Sequence, residues 1–192
     1  AAAGPGVYSA ESMSYDDYAL TKTSYYGPKA TQKRFSEETT DIAGRVIKQR
    51  GYTTETAYRE TLTAYDYMGN VQTVTDPKGN TTTYAYNDMG QMTSVIDAHG
   101  QETTYAYDAM GNLTNTVLPK GNTMVYDYDS LNRLIGDGSG STGYIAYSYY
   151  KFDDRLKKVK DKENNITQYT YDESDYNRGM LLSKTIGGTT IS

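Results

Sequence analysis

Residues 65–83 read YDYMGNVQTVTDPKGNTTT, residues 84–104 read YAYNDMGQMTSVIDAHGQETT, residues 105–125 read YAYDAMGNLTNTVLPKGNTMV, and residues 126–134 open a further copy as YDYDSLNRL. Gly69, Gly90, Gly111 and Asn132 stand 21 residues apart, and Gly79, Gly100 and Gly121 keep the same step. So do Tyr65, Tyr86, Tyr107 and Tyr128, with Tyr84, Tyr105 and Tyr126 two residues ahead of the last three. A unit this short cannot bury a core alone, so adjacent copies must complete one another's contacts.

Each copy spells two short strands and two turns. QMTSVI (residues 91–96) and QETTYAY (residues 101–107) are rich in Thr, Tyr, Val and Ile, which favour a pleated surface. Between them lies Asp97-Ala98-His99-Gly100, equivalent to Asp76-Pro77-Lys78-Gly79 and Leu118-Pro119-Lys120-Gly121. Proline presets a turn dihedral, Asp accepts a backbone N–H, and Gly takes a conformation costly for other residues. The second turn, Asn87-Asp88-Met89-Gly90 or Asp108-Ala109-Met110-Gly111, has the composition of a type I turn closed by a left-handed Gly and a bulge. No helix fits between punctuation this frequent.

Side chains alternate faces with period two, whereas the repeat is odd, so something must restore parity. The expectation is one turn of each kind: a bulged turn pairing Tyr86 with Met92, and a two-residue loop pairing Ile96 with Gln101. Tyr84, Tyr86, Met92, Ser94, Ile96, Thr103, Tyr105, Tyr107, Leu113 and Val117 would then share one face. Gln91, Thr93, Glu102, Thr104, Asn112, Thr114 and Thr116 would share the other. A Tyr side chain buries roughly 150–250 Å², a gross gain of roughly 4–6 kcal/mol at about 25 cal/mol/Å². The aromatic face is therefore expected to be covered, by curling of the meander or by a second sheet.

The 192 residues include 22 Tyr, 27 Thr and 18 Gly but only two Phe and no Trp, so Tyr replaces the usual large apolar residues. There is no Cys, hence no disulfide framework and no thiolate site. A net charge of −5 supplies no electrostatic reason to bind nucleic acid or an anionic membrane. No apolar run is long enough for a membrane-spanning helix. Ala1-Ala2-Ala3-Gly4-Pro5-Gly6 reads as a linker or excision boundary.

Residues 1–40 are expected to form an irregular N-terminal segment, with Tyr15, Tyr18, Tyr25 and Tyr26 in one or two strands closed by Gly27-Pro28. Residues 41–192 would form the repeat domain, regular over residues 63–134. FSEETTDIAGRVIKQ (residues 35–49) could be a short helix capped by Ser36, but Asp41-Ile42-Ala43-Gly44-Arg45-Val46 matches the bulged turn, which is the preferred reading. Residues 51–63 would be the outgoing strand of that degenerate copy. Downstream, residues 137–143 read as a flexible loop and residues 144–150 resume the strand pattern. Lys157-Lys158-Val159-Lys160-Asp161-Lys162 is a solvated hairpin end, Asn164-Asn165 a turn, and residues 173–177 an insertion. No capping element is expected in residues 188–192. Roughly six units and ten to twelve strands are expected.

Tyr107-Asp108-Ala109-Met110-Gly111-Asn112-Leu113, Tyr128-Asp129-Ser130-Leu131-Asn132-Arg133-Leu134 and Ile42-Ala43-Gly44-Arg45-Val46 resemble the YD repeat of the Rhs family, Y-D-x-x-G-R-L followed by a D-x-x-G turn. The resemblance runs over residues 41–182. The family includes bacterial Rhs and wall-associated polymorphic toxins, the C component of insecticidal toxin complexes, and teneurins. It implies an all-β antiparallel meander forming a curved sheet or part of a β-shell, which in the toxins encloses a C-terminal effector. This sequence is far shorter than a closed shell, lacks the proline-rich core sequence of the toxins, and carries no effector. Toxin delivery by this stretch itself is not expected.

Chemistry is sparse. His99, the single histidine, occupies a turn position that Lys78 and Lys120 take in other copies, as a solvent-facing residue would. Asp66, Asp108 and Asp129 alternate with Asn87, which a turn cap tolerates and a general acid does not. Asp76-Pro77-Lys78-Gly79-Asn80 lacks the alternating carboxylates of a calcium loop. No catalytic, cofactor-binding or metal residue is assigned, and no cofactor is expected. The function implied is a non-enzymatic structural scaffold segment of a large secreted or cell-surface protein, building the wall of a shell that encloses an effector. Its partners would be further YD repeats of the same polypeptide or assembly, an enclosed effector, or a surface glycan, and not nucleic acid. The alternative is a carbohydrate- or protein-binding surface module using Tyr and Asn/Gln/Thr side chains.

Overall fold

Glycine and Asx residues recur too often for a helix to propagate, and the branched and aromatic residues between them favour extended backbone. The computed structural model accordingly contains strands and turns. It describes residues 12–16, 19–26, 33–54, 56–139, 143–151, 154–172 and 179–191. These form seventeen strands in two compact units, Ala1–Gln101 and Glu102–Ser192. The count exceeds the ten to twelve expected because the irregular ends also pair as strands.

The first unit holds β1 (Ser12–Asp16), β2 (Ala19–Tyr26), β3 (Lys33–Asp41), β4 (Val46–Tyr52), β5 (Tyr58–Tyr65), β6 (Val71–Thr75), β7 (Thr81–Tyr86) and β8 (Met92–Ile96). Each pairs antiparallel with the next in the chain. The second unit repeats the plan with β9 (Glu102–Tyr107), β10 (Leu113–Val117), β11 (Thr123–Tyr128), β12 (Leu134–Ser139), β13 (Gly143–Tyr149), β14 (Leu156–Lys160), β15 (Ile166–Tyr171), β16 (Leu181–Ile186) and β17 (Thr189–Ile191). Its ladder is likewise sequential and antiparallel.

Residues 41–45 form the turn between β3 and β4, so the turn reading holds there and the helix does not form. Gly51 and Tyr52 end β4, and the outgoing strand begins only at Tyr58, after a turn closed from Thr53 N–H to the Ala57 carbonyl at 2.9 Å. Asp137, Gly138 and Ser139 extend β12 and Gly143 begins β13, which leaves less loop than expected. Residues 140–142, the inserted residues 173–177, Tyr18 and Gly27-Pro28 lie outside the described residues.

Parity is restored differently from the expectation. Both turns are of one kind, a three-residue loop in which residue i donates its N–H to the carbonyl of i+4: Asn87 to Gln91 at 2.9 Å, Asp97 to Gln101 at 3.0 Å. The odd residue lies instead inside the strand that follows the tyrosine turn. Tyr86 opposes Met92 as expected, but Ala85 opposes Ser94 and Tyr84 opposes Val95, so Thr93 bulges. Thr114 bulges in the same way between Leu113 and Asn115. Composition announces a loop but not which side of it absorbs the extra residue. Ser94, Ile96 and Val117 therefore leave the tyrosine face, and Val95 and Thr116 join it.

Among the described residues of each unit, strand contacts run only between neighbours in the chain, so the described strands of each form a single layer that does not close on itself. Among the described residues no hydrophobic side chain is buried, whereas Thr23, Thr39 and Thr116 are largely so. The expected cover over the tyrosines is thus absent from each unit. Tyr84, Tyr86, Tyr105 and Tyr107 are nevertheless half-buried. Branched neighbours from flanking strands shield the rings laterally, as far as one layer allows.

Candidate functional site: capped turns and two sheet faces

In the turn of residues 108–112, Gly111 N–H reaches the Asp108 carbonyl at 3.1 Å, and Asp108 N–H the Asn112 carbonyl at 2.9 Å. Asp108 Oδ1 accepts from the N–H of Met110 (2.9 Å) and Asn112 (2.8 Å), and Asn112 Nδ2 donates to Oδ2 at 2.9 Å. Both carboxylate oxygens are engaged in holding the turn. Asp66, with Met68 and Asn70, and Asp76, with Lys78 and Asn80, do the same. Asn87 caps its turn with one oxygen, taking 3.0 and 2.9 Å bonds from Met89 and Gln91. That Asn and Asp interchange follows from capping, which needs only an acceptor.

Donation from the residue four positions on, by side chain and backbone, holds Asp41, Asp66, Asp76, Asp108, Asp129 and Asp161 below the usual carboxylate range. Asp97 shifts the same way, chiefly through the Gln101 N–H. These groups stay ionised, the opposite of what a general acid requires. His99 is 81 % exposed, with Nδ1 3.9 Å from Asp97 Oδ2, at a solvent-facing turn position. Among the described residues no cluster of acids and His could hold a metal ion, and no helix is long and apolar enough to cross a membrane.

Arg45 and Arg133 stand in the turns of residues 41–45 and 129–133 where the regular copies carry Asn or Gln. Arg45 Nε and Nη2 grip Asp41 Oδ2 at 2.8 and 2.7 Å while its guanidinium lies 4.7 Å from the Tyr65 ring centroid; Tyr65 in turn donates to the Val46 carbonyl. Arg133 repeats the arrangement with Asp129 at 2.8 and 2.7 Å and Tyr149 at 4.7 Å, and Tyr149 donates to the Leu134 carbonyl. Each such Arg clasps its own turn to the tyrosine of the next hairpin.

Sequence reasoning missed two groupings on the face away from the repeated tyrosines. In the first unit Glu37, Arg50 and Glu60 stand opposite one another across β3, β4 and β5. Arg50 pairs with both carboxylates, at 3.4 and 2.5 Å, Tyr52 donates to Glu37, and Arg50 lies 4.4 Å from the Tyr58 centroid. The Glu60 carboxylate holds the Arg50 proton more firmly than usual. No spacing in the sequence announces this grouping, because Glu37, Arg50 and Glu60 become neighbours only through the register of β3, β4 and β5. In the second unit Tyr144 lies over Gly136 and donates to Asp127 Oδ2, which raises its hydroxyl to about 12. A Cβ at Gly136 would sit 1.6 Å from the Tyr144 oxygen, so this glycine is required by the ring. Asp137 raises Tyr147 to about 12 on the opposite face.

An RHS Repeat family model matches residues 65–102 and 90–123. A crystal structure of TcdB2-TccC3-Cdc42 shares the fold with a TM-score of 0.58 at 16% identity, over 86% of this chain and 12% of that one. TcdB2-TccC3 without its hypervariable C-terminal region gives the same values. This chain thus spans about an eighth of the length of those structures. No curated protein matches. Residues 65–123, where the tyrosine turns recur every 21 residues, thus carry RHS repeats.

Proposed function

We propose that this chain is a non-enzymatic wall segment of a larger extracellular assembly, in which further repeats extend the sheet into a shell that encloses an effector. The observation that carries this reading is the single-layer architecture: the described strands of each unit offer two half-exposed faces, and no large apolar side chain among the described residues is buried. Such a layer gains its full hydrophobic stabilisation only when more of the same polypeptide, or an enclosed cargo, covers a face. Asp66, Asp76 and Asp108 are engaged in holding their own turns. Cryo-electron microscopy of the polypeptide that contains this sequence tests the reading. Continuation of the ladder into further repeats around a closed volume is the expected result; bare faces flanked by unrelated domains would overturn it.

A further inference from the structure

The third position of the tyrosine turns is apolar in every regular copy: Met68, Met89, Met110 and Leu131. All four are exposed, the methionines by 47%, 69% and 71%. In the first unit the Met68 and Met89 turns project from the same end of the strands, as do the Met110 and Leu131 turns in the second, because every second connection of an antiparallel meander lies on one rim. The turn is held by backbone and by an Asp or Asn side-chain oxygen: the N–H groups of Met68, Met89 and Met110 reach the capping oxygen at 2.9, 3.0 and 2.9 Å. The thioethers contribute to none of those bonds. Met92 and Met124 differ, being half-buried on the tyrosine face, where Met92 opposes Tyr86 and Met124 sulfur accepts the Tyr126 hydroxyl at 3.8 Å.

We propose that Met68, Met89 and Met110 are sites of covalent oxidation by peroxide, which converts the apolar turn tips of each unit to polar ones while its strands stay paired. A thioether lone pair attacks one oxygen of hydrogen peroxide, the S–O bond forms as the O–O bond breaks, and the departing oxygen leaves as water with both protons. Sulfur loses two electrons and the peroxide gains them. Each product sulfoxide is a strong acceptor in place of an apolar tip, and reductases of the sulfoxide class can reverse the change. Exposure sets the order of reaction, and the independence of the capping bonds from sulfur lets the fold survive it. This inference does not depend on the wall reading.

The experiment treats the intact 192-residue chain with limiting hydrogen peroxide and maps oxygen addition by peptide mass spectrometry over time. Met68, Met89 and Met110, together with the comparably exposed Met180, are expected to react about tenfold faster than Met92 and Met124. Retention on a hydrophobic column should fall while the far-ultraviolet dichroism and unfolding midpoint hold. Leu131→Met should add one more fast site, and a triple Met→Gln variant at positions 68, 89 and 110 should reproduce the lowered retention without oxidant. Equal rates at Met92 and Met124, unchanged retention, or unfolding that accompanies the first oxygen added would each overturn the proposal.

Discussion

Gly90 has φ of 75° and Gly111 of 91°, a region where a Cβ crowds the following carbonyl, while Asn132 and Asn164 occupy the same region at 61° and 68°. Gly90→Ala is therefore expected to cost about 1 kcal/mol and Gly90→Asn only a fraction of that, measured as denaturant midpoints. The carboxylate caps make a second prediction. Their folded-state pKa values lie below the unfolded ones, so their contribution is complete above about pH 4 and fades as pH falls through the depressed folded values. Replacing Asp66, Asp76 and Asp108 together by Asn keeps the capping acceptor, as Asn87 demonstrates, but removes the titration. Thermal melts from about pH 7 to about pH 2 should show a flatter acid limb for this variant than for the parent. The capping role was legible in the sequence because Asp and Asn alternate between copies. The closing donation by Asn112, Asn70 or Arg133 was not, since it depends on rotamers that only the folded turn selects.

At the level of the hairpin, repeated letters located strands and turns but not their register. Gln72, Thr93, Thr114 and Ile135 recur every 21 residues as the bulged residues, yet nothing in their composition sets them apart from their unbulged neighbours. A bulge is a property of how two strands meet, so parity alone admitted either a bulged strand or a second kind of turn, and the strand absorbs it. The clasp of Arg133 joins two hairpins, and Arg133→Asn, which restores the residue of the regular copies, is expected to cost about 1–2 kcal/mol. That sum combines the ring contact with Tyr149 and the 3.1 Å bond to the Tyr150 carbonyl. Urea titration of the variant checks it. Gly136→Ala forces Tyr144 off the strand; the expected loss is about 1–3 kcal/mol. Spectrophotometric titration should then find the Tyr144 hydroxyl returning from about 12 toward its ordinary value, because the bond to Asp127 is gone.

For the whole chain, the repeat made the sheet legible and left its cover illegible. Tyrosine counts argue that an aromatic face wants burial, but whether that burial comes from this chain or from another is not encoded in the letters of one copy. Each unit answers by burying threonines and leaving its largest side chains half-covered. Stability should accordingly be carried by ladder bonds and turn caps more than by a core, and it should be modest for the length of the chain. Residue-resolved amide exchange of the intact chain tests this most directly. Slow exchange is expected at the turn-closing amides of Asp66, Asn87, Asp108 and Asp129, recurring every 21 residues with the interstrand amides between them. Protection confined to one contiguous block, or absent from those four amides, would contradict a sheet built by sequential pairing of repeats.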